Sequence, residues 1–244
     1  MFQTPRIGAA ALLAFASLCA VSACKKELTQ AELHFAKGSD LFRIQDYAGC
    51  AAELTQSLDL DPKQAQATWD KCAFCFMKAG KLDKAGDVLL KIAQLSAKPE
   101  DKLANYRNAA GMYLQGQFGD KAEPAFLEAM KLDPKDEASL AWLAEISAQR
   151  GGARKMEAPA KVEDLEIALG RYDQLIAINP ASAGHYVNKR IALAKLIGGL
   201  DKQRATADAA TKANLSARID ELKTKLEETN KKLSEAMKAA KGIK

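Results

Sequence analysis

Three cysteines lie close enough in the chain to act together: Cys50, Cys72 and Cys75. Cys72-Ala73-Phe74-Cys75 has the CxxC spacing that lowers one thiol's pKa in a thioredoxin-like site and supplies two ligands in a zinc site. Each chemistry needs a further element. A redox site needs a following βαβ pattern and a zinc site needs a second CxxC, and the sequence contains neither. The three are therefore read first as small buried apolar side chains. A structural disulfide involving Cys50, which fits an oxidising compartment, and a thiol-redox site at Cys72 and Cys75 are the alternatives. With three thiols, one stays unpaired whichever pair forms.

The remaining chemistry-bearing residues are sparse. Two histidines, His34 and His185, stand apart from any nucleophile motif, and there is no HExxH, no G-x-S-x-G and no glycine-rich phosphate loop. No catalytic residue, metal site or cofactor is assigned, and the chain is not expected to be an enzyme. A fourth cysteine, Cys24, carries a different chemistry. Met1 to Cys24 reads as one basic residue, Arg6, an apolar run from Ile7 to Val21, then small residues, the order of a secretory signal and too short for a comfortable membrane span. Val21-Ser22-Ala23-Cys24 resembles the bacterial lipobox, which implies cleavage after residue 23 and acylation of Cys24. Acyl chains at about 0.8 kcal/mol per buried methylene would anchor the protein firmly. Lys25 follows in place of the aspartate associated with inner-membrane retention. The expected address is the periplasmic side of the outer membrane, with residues 24–30 as a tether.

The elements that must position the other residues are helical. Leu33, Phe35, Gly38, Leu41 and Phe42, then Tyr47, Ala51, Leu54, Leu58 and Leu60, fall at helical spacing around a polar turn at Gln45-Asp46. Asp61-Pro62 ends the second helix, because proline lacks the amide hydrogen and disfavours the α region before it. Prolines 62, 99, 134 and 180 are 37, 35 and 46 residues apart. That period marks stacked helical repeats, the last gap containing an insertion of about twelve residues.

The repeats resemble the tetratricopeptide repeat, in which an aromatic stands fourth, small residues eighth, twentieth and twenty-seventh, and bulky ones eleventh and twenty-fourth. Counting back from Pro134, Tyr106, Ala110, Tyr113, Ala122, Phe126 and Ala129 fill all six positions. Trp69, Ala73, Phe76, Ala85 and Leu89 match in the second copy, His34, Gly38, Leu41, Cys50, Leu54 and Ser57 in the first, and Leu140, Ala144, Ala168 and Tyr172 in the fourth. The resemblance spans 31–180 and implies an all-α solenoid of four hairpins, 31–64, 66–101, 103–136 and 137–182. The insertion at 151–162, with paired glycines, a proline and no periodicity, reads as a tolerated loop.

The family's groove is lined by the second, fifth, ninth, twelfth and thirteenth positions of each first helix. The resemblance places Phe35, Phe42, Arg43, Asp70, Phe74, Met77, Lys78, Arg107, Leu114, Gln115, Glu145 and Gln149 there. Outward phenylalanines would form an apolar patch of the kind that binds proteins.

After Pro180 one more amphipathic helix, 183–200, carries Arg190 where the repeat wants a small residue, and reads as a cap. Residues 201–244 form a long helix in which Leu215, Ile219, Leu222, Leu226, Thr229, Leu233, Ala236 and Ala240 alternate spacings of four and three, as in a coiled-coil seam. Self-association through 215–240 is one expectation, folding back on the solenoid the other. That tail carries 11 basic and 7 acidic residues, whereas 25–200 carries 24 of each. Mixed signs without a basic, aromatic stripe argue against nucleic acid.

The whole reads as a membrane-anchored scaffold that binds an envelope protein. A sharper form is a pilotin-like assembly factor for an outer-membrane secretin or for a motility or secretion complex. The alternatives are a structural spacer or oligomer held by the C-terminal coiled coil, and a periplasmic thiol-redox protein.

Overall fold

A computed structural model of the chain describes residues 27–155 and 157–241. The signal segment and the acylation site expected at Cys24 lie outside the described residues. Ten helices and no strand occur among those described: α1(Gln30–Arg43), α2(Tyr47–Leu60), α3(Gln66–Lys78), α4(Leu82–Leu95), α5(Pro99–Gln115), α6(Gly119–Leu132), α7(Glu137–Arg150), α8(Val162–Ile178), α9(Ala183–Thr206) and α10(Ala209–Ala240). Each helix packs chiefly on the next in sequence, so the core is a string of local clusters.

The two kinds of turn repeat with little change. Between the helices of each of the first four hairpins, one residue adopts a left-handed backbone: Gln45, Gly80, Gln117 and Gly152, at φ of 62°, 72°, 66° and 81°. In each case the next amide reaches back five residues, as from Asp46 to the Leu41 carbonyl (3.0 Å) and from Phe118 to that of Tyr113 (2.7 Å). This is the Schellman closure, which satisfies carbonyls the helix end leaves open. Asp61, Asp133 and Asn179 end the second helices of three hairpins ahead of a proline, the two aspartates in extended conformation.

Small residues set the hairpin spacing. Gly38, Ala73, Ala110 and Ala144 are buried, as are Cys50, Ala85, Ala122 and Ala168 opposite them. Between hairpins the approach is as tight at Gly86 of α4, where a methyl group would lie 2.5 Å from the Tyr113 ring of α5. Tyr113 fills that seam and donates from its hydroxyl to Asp87 at 2.8 Å.

Three expectations change. First, α9 does not stop at Gly198-Gly199 but runs to Thr206, and Asp208 starts α10 by accepting from the Thr211 amide at 2.9 Å. Gly199 instead makes room for Ala160 of the insertion, 2.5 Å from where a β-carbon would stand. Second, the seam of α10 is occupied within the chain. Ile219 and Leu222 bury against Leu196, Ile197 and Leu200, and Leu233 and Ala236 against Tyr186. The expected pairing of two copies through 215–240 therefore loses its apolar face. Third, the insertion is docked rather than free, with Lys195 of α9 donating to the carbonyls of Lys155 (2.9 Å) and Ala158 (2.6 Å).

Candidate protein-binding groove

The first helices of the hairpins place their groove-position side chains on one face, and none of the twelve is buried. The residues around them, such as Gly38, Cys72, Cys75 and Ala109, point into the core, so the exposed stripe follows from helical phase.

At the N-terminal end the stripe is aromatic. The Phe42 ring centroid lies 5.8 Å from that of Phe74 and 6.1 Å from that of Tyr47, and Tyr47 lies 6.0 Å from Phe74. Phe35, Phe74 and Met77 are each 36% exposed, unusually open for large apolar side chains at the centre of a helix face. Lys71 sets its ammonium 5.1 Å from the Phe35 ring and 5.7 Å from that of Phe42, and Lys78 lies 5.4 Å from Phe74. Both cations favour the electron-rich ring faces. Arg43 pairs with Asp40 of its own helix, and Asp70 is exposed, its carboxyl pushed up by partial burial.

Beneath this patch Cys50 of α2 and Cys75 of α3 form a disulfide with Cα atoms 6.1 Å apart, joining the first hairpin to the second. The first reading of all three cysteines as apolar filler is corrected for this pair. The thiol-redox alternative falls with it, because the CxxC partners are not bonded to each other. Cys72 stays free and buried, and burial pushes its thiol up to about 11, far from the range of a reactive cysteine.

A second stretch lies between α5 and α7, where Arg107, Gly111, Leu114, Gln115 and Gln149 line a cleft of about 480 Å³ with Trp142. Trp142 is half exposed and stacks on Phe126, their centroids 6.4 Å apart. Sequence reasoning missed Trp142, which sits one position beyond a groove position. The signal available was a tryptophan among the alanines and leucines of the first helix of that repeat. Arg107 is not free for a ligand: its Nε donates to Asp136 at 2.7 Å and a second nitrogen completes a fork on the same carboxylate. Burial alone would raise the Asp136 carboxyl, but the Arg107 fork outweighs it and holds it below the ordinary range.

The fourth hairpin's share of the groove is taken by the insertion. Arg154 forks onto Glu145, with Nε to Oε1 at 2.8 Å, and reaches the Asn188 side chain at 3.0 Å. Gln149 also donates to Glu145, at 3.0 Å. The open groove thus runs over α1, α3 and α5 to the near edge of α7.

Neither histidine is a ligand set in waiting. His34 Nδ1 meets Glu53 at 2.7 Å and His185 Nε2 meets Glu137 at 2.9 Å, each tying two helices together. Among the described residues no group of three His, Cys, Asp or Glu could hold a metal ion, and no helix is long and apolar enough to cross a membrane.

No protein-family model and no curated protein matches the chain. Solved structures do. A TPR repeats protein from Bacteroides fragilis NCTC 9343 superposes with a TM-score of 0.55 at 14% identity, over 86% of this chain and 92% of that one. MamA protein is similar at a TM-score of 0.49 and 17% identity, over 87% of this chain and 94% of the other. The first likeness establishes the fold.

Proposed function

We propose that this chain, a tetratricopeptide-repeat solenoid by fold, is a non-catalytic scaffold that holds a segment of another protein against the aromatic face of α1 and α3. The observation that carries the reading is the cluster of exposed Phe35, Phe74 and Met77 around the half-buried Phe42, with its two lysines. Aromatic and methionine side chains in a shallow groove supply large contact area at low conformational cost, the composition of binding hot spots.

The scaffold works from a lipid anchor at Cys24 on the periplasmic side of the outer membrane. The signal-like run and lipobox-like residues 21–24 support that address, and the Cys50–Cys75 disulfide suits an oxidising compartment. In its narrower form the partner is an outer-membrane secretin or a related assembly, for which the protein acts as a pilotin-like factor.

The test is affinity capture from detergent-solubilised envelopes, comparing the full-length protein with a Phe35→Ala, Phe74→Ala double variant of unchanged circular dichroism. A partner retained by the first and lost by the second supports the groove. The same proteins in both eluates would overturn it. Substitution of Cys24 by alanine should move the protein from the membrane to the soluble fraction.

A further inference from the structure

The last hairpin, α9 with α10, departs from the others at one position. Where the first four hairpins bury Gly38, Ala73, Ala110 and Ala144 and close tightly, α9 presents the exposed Arg190. The apolar seam divides there: Leu196, Ile219 and Leu222 belong to one cluster, Tyr186, Leu233 and Ala236 to another. Between and beside them the surface opens into two clefts of about 520 and 450 Å³, and both are lined by Arg190 and Asn230. Along α10 and its C-cap they extend from Leu226 to Lys241, about 22 Å at 1.5 Å per residue, the length of roughly seven extended residues.

The lining has one sign. Arg190, Lys195, Lys238 and Lys241 contribute cations, and no carboxylate lines either cleft. Leu226 and Met237 give it apolar walls, Met237 being nearly half exposed. Lys195 is engaged with the insertion's carbonyls, but Arg190, Lys238 and Lys241 make no ion pair with a described residue. Lysines near the end of α10 offset its C-terminal dipole. Arg190 has no such explanation: it stands mid-helix, where a small residue would close the hairpin.

We infer that this trough is a second binding site, separate from the aromatic face, for an acidic amphipathic segment of a partner protein. Arg190 has two parts in it, holding the hairpin open and supplying the central charge. Alternate carboxylates of an extended segment meet Arg190, Lys238 and Lys241, while the intervening apolar side chains lie against Leu226 and Met237.

The test is fluorescence anisotropy with the full-length protein and a labelled peptide of alternating glutamate and leucine. The glutamine–leucine counterpart serves as the neutral control, and phosphatidylglycerol vesicles as the membrane arm. The acidic peptide should bind, the neutral one about tenfold more weakly, with the difference shrinking as salt is added. Arg190→Ala, which restores the small residue, and Arg190→Glu with Lys238→Glu should each weaken binding about tenfold or more. Phe74→Ala should leave it unchanged, which separates this site from the groove on α1 and α3. No binding of the acidic peptide, equal binding of both peptides, or wild-type affinity in the Arg190 variants would overturn the proposal. Vesicle binding that depends on Arg190 while peptide binding does not would overturn it in favour of a lipid surface.

Discussion

Opening the Cys50–Cys75 bridge should loosen the first two hairpins and leave the rest of the solenoid standing. The bridge joins residues 25 apart across the step from α2 to α3. Chain-entropy reasoning gives a loop of that length about 3.5 kcal/mol of stabilisation. For a domain of this size 1 kcal/mol moves the thermal midpoint by about 2–4 °C, so a fully cooperative solenoid would lose roughly 7–14 °C. Repeat arrays couple neighbour to neighbour, however, and the loss should fall where the bridge sits. The two tryptophans separate these cases, since Trp69 lies in α3 and Trp142 in α7. Urea unfolding would be followed in Trp142→Phe and Trp69→Phe backgrounds, with and without reductant, and with Cys50→Ala, Cys75→Ala as a chemical control. The Trp69 midpoint should fall and the Trp142 midpoint should hold. Alkylation in denaturant without reductant should label Cys72 alone among the three solenoid cysteines. Two midpoints that move together would refute the local coupling, and an unlabelled Cys72 would refute the pairing itself.

Arg107→Ala leaves the buried Asp136 carboxylate without its fork and should cost about 2 kcal/mol in denaturant unfolding, less than a fully buried pair because Arg107 is partly exposed. Gly86→Ala should cost about 1–3 kcal/mol, since Tyr113 is held by Asp87 and cannot swing aside. Gly170→Ala, in the middle of α8 with nothing within 4 Å, should instead stabilise by about 0.5–1 kcal/mol, and thermal melts compare the two. The Arg154 hydrogen bonds, against the effect of burial, hold the Glu145 carboxyl below its ordinary 4.5. A depressed carboxylate stabilises above its unfolded pKa and loses that contribution as pH falls through the folded value. Amide signals of residues 152–155 and 157–158 should therefore shift toward free-loop values below pH 4.5, and Arg154→Ala should reproduce the shift at neutral pH. Loop signals unchanged in both would contradict the docking.

Much of this architecture is legible because it rests on local rules. Leucine and small-residue spacing fixes the helix faces, and Asp-Pro or Asn-Pro steps end three of the second helices. The small residues at 38, 73, 110 and 144 announce where helices meet. What escapes is decided by tertiary geometry. The four-three spacing of Ile219, Leu222, Leu226 and Leu233 serves a hairpin partner as well as a second chain, and α9 is simply nearer. Cys72 and Cys75 lie one turn apart, so which of them meets Cys50 depends on how α2 and α3 cross, and periodicity does not contain that angle. The insertion has no period at all. Its docking rests on Arg154 finding Glu145 and on Lys195 capping its carbonyls. Trp142 escaped because the family's groove positions skip it.

The central claim is that the face of α1 and α3, and not the solenoid surface in general, holds the partner. A photo-crosslinking amino acid placed at Met77 on that face, or at the comparably exposed Leu127 of α6, tests it in intact cells. Met77 should give a discrete crosslinked species that disappears with Phe74→Ala, and Leu127 should give none. The same adducts from both positions, or none from Met77, would contradict it.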